Sequence, residues 1–275
     1  MVENNKKAGF VKWANNQEAI SLLVFTGERI NNAVVKNDDA VYEWILAIDF
    51  SKLQPDSVNW DDLGLGRILQ ASHFDKDGRP FTRLFFEDRS RFDLCFVSEE
   101  DLDRILEKDS LCEIVLDRSN RYGATKKPTD LSRRIKKPTE EEFSAWCGIF
   151  FTEMTDVCLY LKNQQLLPAQ VSLGRTKEAL MNMVKASTSA KSEYTLNPGK
   201  DVQNLKAYLD EEATDLLDMS FAKTTDRDLW DAVFKSCILF RRMGLDLAER
   251  TGYPYPKEID VNLLKVFRSI WEESR

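Results

Sequence analysis

Between Phe143 and Leu161, apolar side chains recur at spacings of one, three and four residues: Phe143, Trp146, Cys147, Phe150, Phe151, Met154, Val157, Cys158 and Leu161. An α-helix, with about 3.6 residues per turn, gathers such positions on one broad face. A face of that width is stable only when buried against other helices, so this stretch requires a helical bundle. The aromatic stripe within it reads as core rather than as a ligand box. Thr139 with Glu142 supplies a capping box at the start of the helix. The same spacing returns at Leu229, Val233, Cys237, Phe240 and Met243, and shorter helices are expected over residues 175–186, 201–210 and 260–272.

Up to about residue 125 the pattern differs. Short apolar runs suit strands at Ala19–Phe25, which ends just before Gly27, and at Tyr42–Phe50. Asp75-Lys76-Asp77-Gly78 is a turn signal between strand candidates near Gly66–Phe74 and Phe81–Phe86. Arg91–Val97 reads as a strand running into a helix that Ser98 caps, with Asp101 three residues on, and Leu111–Leu116 as one more strand. Residues 117–138 are polar and basic with two prolines; Arg133, Arg134, Lys136 and Lys137 are able to contact phosphate, but a solvated connector is the favoured reading. The class is α+β, with domains expected over 1–135 and 136–275.

Composition narrows the function. Of 275 residues, 43% are apolar and 11% aromatic, enough for a packed core and against disorder. The net charge of -7 opposes general nucleic-acid binding and suits a cationic small ligand, although mild acidity is also ordinary. Cys95, Cys112, Cys147, Cys158 and Cys237 are widely spaced with no Cys-x-x-Cys, so they read as buried thiols, not as a disulfide framework or zinc site. The N-terminal MVENNKKAGF has no apolar stretch of signal length, and no window approaches a membrane span; a cytoplasmic protein is expected. His73 is the single histidine, which excludes a His-based triad and a His-rich metal site, and its expected role is that of a satisfied surface or boundary residue.

The candidate site gathers around Gly27, Glu43 and Asp93. Nucleotidyl transfer from ATP needs carboxylates that hold Mg²⁺ ions between the attacking oxygen and the phosphates. It also needs backbone N–H groups, usually in a glycine turn, to cradle the triphosphate. Two acids two residues apart on a strand share one face. Here Glu43 is one such acid, but its partner position is Val41, which binds no metal. Asp39 is on the same face but about 13 Å of strand away. Asp93, between apolar residues on a strand, is the candidate for the third acid that a neighbouring strand would supply. Glu28 directly follows Gly27, and a carboxylate there opposes a triphosphate unless it turns away or pairs with Arg29.

In order and spacing these segments resemble the bacterial aminoglycoside 6-adenylyltransferases, also called streptomycin adenylyltransferases, of the polymerase-β-like nucleotidyltransferase superfamily. The resemblance runs from about residue 10 to the end. Gly27-Glu28-Arg29 resembles the family's Gly-Ser-Arg turn, Val41-Tyr42-Glu43 its Asp-Tyr-Asp metal pair, and Phe92-Asp93-Leu94 the segment of its third Asp. Glu99–Asn120, Lys136-Lys137-Pro138-Thr139, Phe143, Pro198-Gly199-Lys200 and Gly252-Tyr253-Pro254-Tyr255-Pro256 resemble further family segments.

The resemblance implies an N-terminal nucleotidyltransferase-fold domain, a mixed sheet with flanking helices, followed by a C-terminal α-helical bundle. It implies Mg²⁺ and ATP as cofactors and AMP transfer to a streptomycin hydroxyl. It assigns Gly27, Arg29 and Lys200 to nucleotide binding and Glu43 and Asp93 to metal. A small, cationic, aminoglycoside-like ligand is expected in an inter-domain cleft, with no nucleic-acid or membrane partner, in a monomer or homodimer.

The chain also departs from the family at Glu28, Val41 and Glu43. Cys147-Gly148-Ile149-Phe150 stands where a polar Asn-Glu pair is expected, Leu159 and Asn163 where basic residues are expected, and Ala186 where a tryptophan is expected. Three readings follow: a member with impaired or lost transfer; an active enzyme in which Asp38, Asp39 or Asp49 supplies the missing ligand; and a non-catalytic binding or regulatory protein.

Overall fold

The computed structural model describes residues 3–34, 41–123 and 127–274, without the side chains of residues 3–5. It divides into two compact units: Met1–Arg134 with Asn197–Val202, and Ile135–Leu196 with Gln203–Arg275. The segment Asn197–Val202, inside the range the sequence assigns to the helical domain, thus groups with the first unit.

The first unit is built on strands β1 (Ile20–Thr26), β2 (Tyr42–Ile48), β3 (Ile68–Lys76), β4 (Arg79–Phe86), β5 (Arg91–Val97) and β6 (Cys112–Asp117). They form one sheet in the order β3-β4-β5-β2-β1-β6. The β2–β5 pair is parallel and the other neighbours are antiparallel, so the sheet is mixed. Helices α1 (Glu3–Asn15) and α2 (Glu99–Lys108) flank it.

Alternation along each strand sends two sets of side chains to opposite faces. One set, with Leu23, Phe25, Trp44, Leu46, Phe92 and Leu94, packs with Phe10, Trp13 and Ala14 of α1 into the larger core. Phe92 anchors it, with ring centroids 4.8 Å from Tyr42, 5.2 Å from Phe86 and 5.4 Å from Phe10. The other set, with Val24, Ile45, Cys95 and Val97, meets Leu102, Ile105 and Leu106 of α2 in a smaller core. Ser98 caps α2 by accepting a hydrogen bond from the Asp101 backbone N–H at 3.1 Å.

The second unit holds helices α3 (Glu140–Lys162), α4 (Leu166–Ala190), α5 (Glu211–Met219), α6 (Asp226–Thr251) and α7 (Lys257–Glu273). The Thr139–Glu142 capping box is formed in both directions. Every apolar residue named above on 143–161 is buried except the half-buried Trp146, and Phe150 stacks on Phe240 of α6 at 3.9 Å. Arg241 of α6 forks onto the buried Asp260 of α7, which also accepts a hydrogen bond from the Tyr255 hydroxyl at 3.0 Å. Gly244 leaves room for that tyrosine: a Cβ there would be 2.5 Å from the Tyr255 ring.

Two helix expectations are corrected. Residues 201–210 form two short 3₁₀ turns, Lys200–Val202 and Leu205–Tyr208, because Asp201 and Val202 have left-handed backbone (φ 51 and 57) that cannot continue a helix. The helix expected over 175–186 extends to Leu166–Ala190, because Pro168 falls in its first turn, where the missing N–H costs nothing. The N-terminal helix α1 had no clear signal in its polar sequence. Among the described residues, no helix is long and apolar enough to cross a membrane.

Candidate functional site

On the α2 side of the sheet, the strand registers set one row of side chains across five boundaries. Cys112 pairs with Thr26, Thr26 with Glu43, Glu43 with Asp93, Asp93 with Arg83, and Arg83 with Ser72. Period two therefore brings the two predicted metal acids side by side at the N-terminal ends of the parallel strands β2 and β5. It also sets a cation next to them. Arg83, which the sequence analysis did not single out, donates from Nε and Nη2 to the two Asp93 carboxylate oxygens at 2.8 and 2.9 Å. Arg91 donates to Asp93 Oδ2 at 3.2 Å. Asp93 is buried. Its carboxylate, and secondarily Glu43, holds the Arg83 guanidinium more firmly protonated than usual.

Glu43 is likewise paired, with the Lys200 ammonium. Lys200 arrives there through a short network inside the first unit. Asn197 donates from Nδ2 to Asn31 Oδ1 at 3.1 Å, and its own Oδ1 accepts the Gly199 backbone N–H at 3.0 Å. Both asparagines are buried.

Gly27 allows Glu43 its position. Its backbone (φ 86, ψ -166) lies in a region essentially restricted to glycine, and a Cβ there would be 2.0 Å from Glu43 Oε2 and 3.1 Å from Glu43 Cβ. Glu28 accepts a hydrogen bond from Asn31 Nδ2 at 3.0 Å, and the Arg29 guanidinium lies 3.7 Å from the centre of the Tyr42 ring.

The two acids and their cationic partners border a cavity of about 560 Å³ in the first unit. Glu43, Asp93 and Lys200 line it, whereas Gly27, Glu28 and Arg29 do not. Arg79, Phe81 and Arg83 on β4, with Phe74 and Lys76 on β3, form one wall. The Asp77-Gly78 turn brings Lys76 opposite Arg79 and Phe74 opposite Phe81. That register is the signal that could have found Arg83: counting forward from the turn in steps of two places 79, 81 and 83 on one face.

Among the described residues, no group of three or more His, Cys, Asp or Glu side chains is placed to hold a metal ion. Val41 immediately precedes β2 and is half-buried. Of the acids considered as replacements, Asp38 and Asp39 lie outside the described residues. Asp49 follows the far end of β2, accepts hydrogen bonds from Ser51 and does not line the cavity. His73 Nδ1 is 2.9 Å from the Thr82 hydroxyl. All five cysteines are free, and burial pushes the Cys95 and Cys112 thiols up to about 11.

The sequence profile of the streptomycin adenylyltransferase family matches residues 2–270. The chain is 24% identical over 271 residues to the aminoglycoside 6-adenylyltransferase of Bacillus subtilis (strain 168), covering 95% of each chain. It is 24% identical over 253 residues to that of Campylobacter jejuni, covering 90% of this chain and 88% of the relative. A crystal structure of an aminoglycoside 6-adenyltransferase from Bacillus subtilis aligns with a TM-score of 0.49 at 20% identity, covering 96% of this chain and 97% of that one. The chain belongs to the aminoglycoside 6-adenylyltransferase family of the polymerase-β-like nucleotidyltransferase superfamily, as a divergent member.

Proposed function

We propose that this protein keeps the adenylyltransferase fold and has impaired or lost transfer of AMP from Mg-ATP to an aminoglycoside hydroxyl. One observation carries the reading: both candidate metal acids already have cationic partners, Asp93 with Arg83 and Arg91, and Glu43 with Lys200. A magnesium cage relies on carboxylates whose negative charge is available to the ion. With those pairs in place the acids do not fit such a cage, and Val41 adds no ligand. A unit charge and a divalent ion about 4 Å apart repel by ~2 kcal/mol in water and ~8 kcal/mol at an effective dielectric near 20.

The same reading gives the expected nucleotide residues other work. Gly27 makes room for Glu43, Arg29 covers Tyr42, and Lys200 neutralises Glu43. The test is incubation of the purified protein with Mg-ATP and streptomycin, with adenylylated product followed by mass spectrometry. No product, or only slow formation above the protein-free control, is expected; ready turnover overturns the reading.

A further inference from the structure

We propose that the cavity of the first unit binds a multiply charged phosphate anion without a divalent metal, with Lys76 and Arg79 at the β3–β4 turn as its principal contacts. The inference deepens the reading of the same site and rests on it.

The charge pattern makes the case. Lys200 is committed to Glu43 and Arg133 to Asp109, so these pairs are neutral. Asp93 is shared by two arginines, which leaves that trio with one excess positive charge. Lys76 and Arg79, opposite each other across the turn, have no carboxylate within ion-pair distance among the described residues. Two acids oppose them, Asp77 in the exposed turn and Asp201 beside Lys200. The positive excess therefore concentrates along the β3, β4 and β5 side, where Lys76, Arg79, Arg83 and Arg91 follow one another on a single face.

Guanidinium groups in that setting offer forked donors to phosphate oxygens, and a lysine adds a point charge. Between the cations lies an aromatic surface: Phe74 and Phe81 stack with centroids 5.7 Å apart at 24°, and Phe74 is 38% exposed. A flat ring carried by the anion can lie on it. In a metal-dependent site the ion offsets the phosphate charge. Here protein cations fill that role, so added Mg²⁺ competes for the phosphate and does not bridge it to the carboxylates.

The test is calorimetry on the full chain with sodium triphosphate, ATP and adenosine, each in EDTA and each with Mg²⁺. Expected are binding of triphosphate and ATP in EDTA, weaker binding with Mg²⁺ or at raised salt, and no binding of adenosine. Tighter binding of ATP than of triphosphate assigns the aromatic pair to a base. Equal binding leaves a plain polyphosphate site, and both results keep the inference.

K76A/R79A, at exposed or half-exposed positions of a turn, should weaken binding by about tenfold or more per cation, with the unfolding midpoint checking its fold. No binding in EDTA, a requirement for Mg²⁺, or unchanged affinity in a folded K76A/R79A overturns the inference. These failures are separable from that of the functional reading, which only turnover overturns.

Discussion

Replacing Arg83 and Lys200 together by glutamine removes two of the three cations that face Asp93 and Glu43. In the parent, Arg83 forks onto both Asp93 oxygens and its side chain is 44% exposed. A divalent ion brought to the same carboxylate meets that charge at about 4 Å, a repulsion of ~2 kcal/mol in water and ~8 kcal/mol at an effective dielectric near 20. The exposure of Arg83 argues for the lower figure, which corresponds to about 30-fold in affinity. Asp93 is not stranded by the change, because Arg91 still donates to it at 3.2 Å. R83Q/K200Q should therefore stay folded and gain at least about 30-fold in Mn²⁺ affinity over the parent, read from the free-ion signal by electron paramagnetic resonance. Equal Mn²⁺ affinity in the folded parent and variant refutes the argument that these cations keep the metal out.

Three further outcomes follow from the packing. G27A forces a Cβ into the Glu43 side chain at a glycine-only backbone position and should cost ~1–3 kcal/mol in urea unfolding. D260N breaks a buried fork from Arg241 and weakens the Tyr255 bond, a loss of ~3–5 kcal/mol by the same measurement. Burial pushes the Lys177 ammonium, whose Nζ is 3.0 Å from the Ser236 hydroxyl, from 10.5 down to about 7. Between those values the unfolded chain binds more protons than the folded one, so Lys177 makes stability rise with pH across that window, and its burial cost is fully present below it. K177M should raise stability below pH 7 and flatten that rise.

What the sequence made legible was set by local chemistry. Ser98 and Thr139 declared their helices because their hydroxyls have one evident use, accepting a first-turn N–H. Glu43 and Asp93 were legible as a pair because strand alternation fixes which face each occupies. Their partners were not. Arg83 reaches Asp93 only through the register of the β4–β5 hairpin, and Lys200 reaches Glu43 across 157 residues by way of Asn31 and Asn197. Glu28 illustrates the same limit: beside Gly27 in the chain it reads as a threat to a triphosphate, yet in the fold it accepts from Asn31 and does not line the cavity. The 201–210 helix failed for a local reason, the left-handed backbone at Asp201 and Val202. For a β-branched valine that conformation is costly, and nothing in the spacing of the apolar residues announces it.

The central claim is that protein cations hold the two acids that metal ions would otherwise use. A crystal of the parent protein soaked in Mn²⁺ and ATP, with anomalous diffraction measured at the manganese edge, addresses it directly. The account predicts no manganese peak between Glu43 and Asp93, with the Arg83 fork and the Lys200 pair intact. A manganese peak bridging the two carboxylates, with Arg83 and Lys200 displaced, contradicts it.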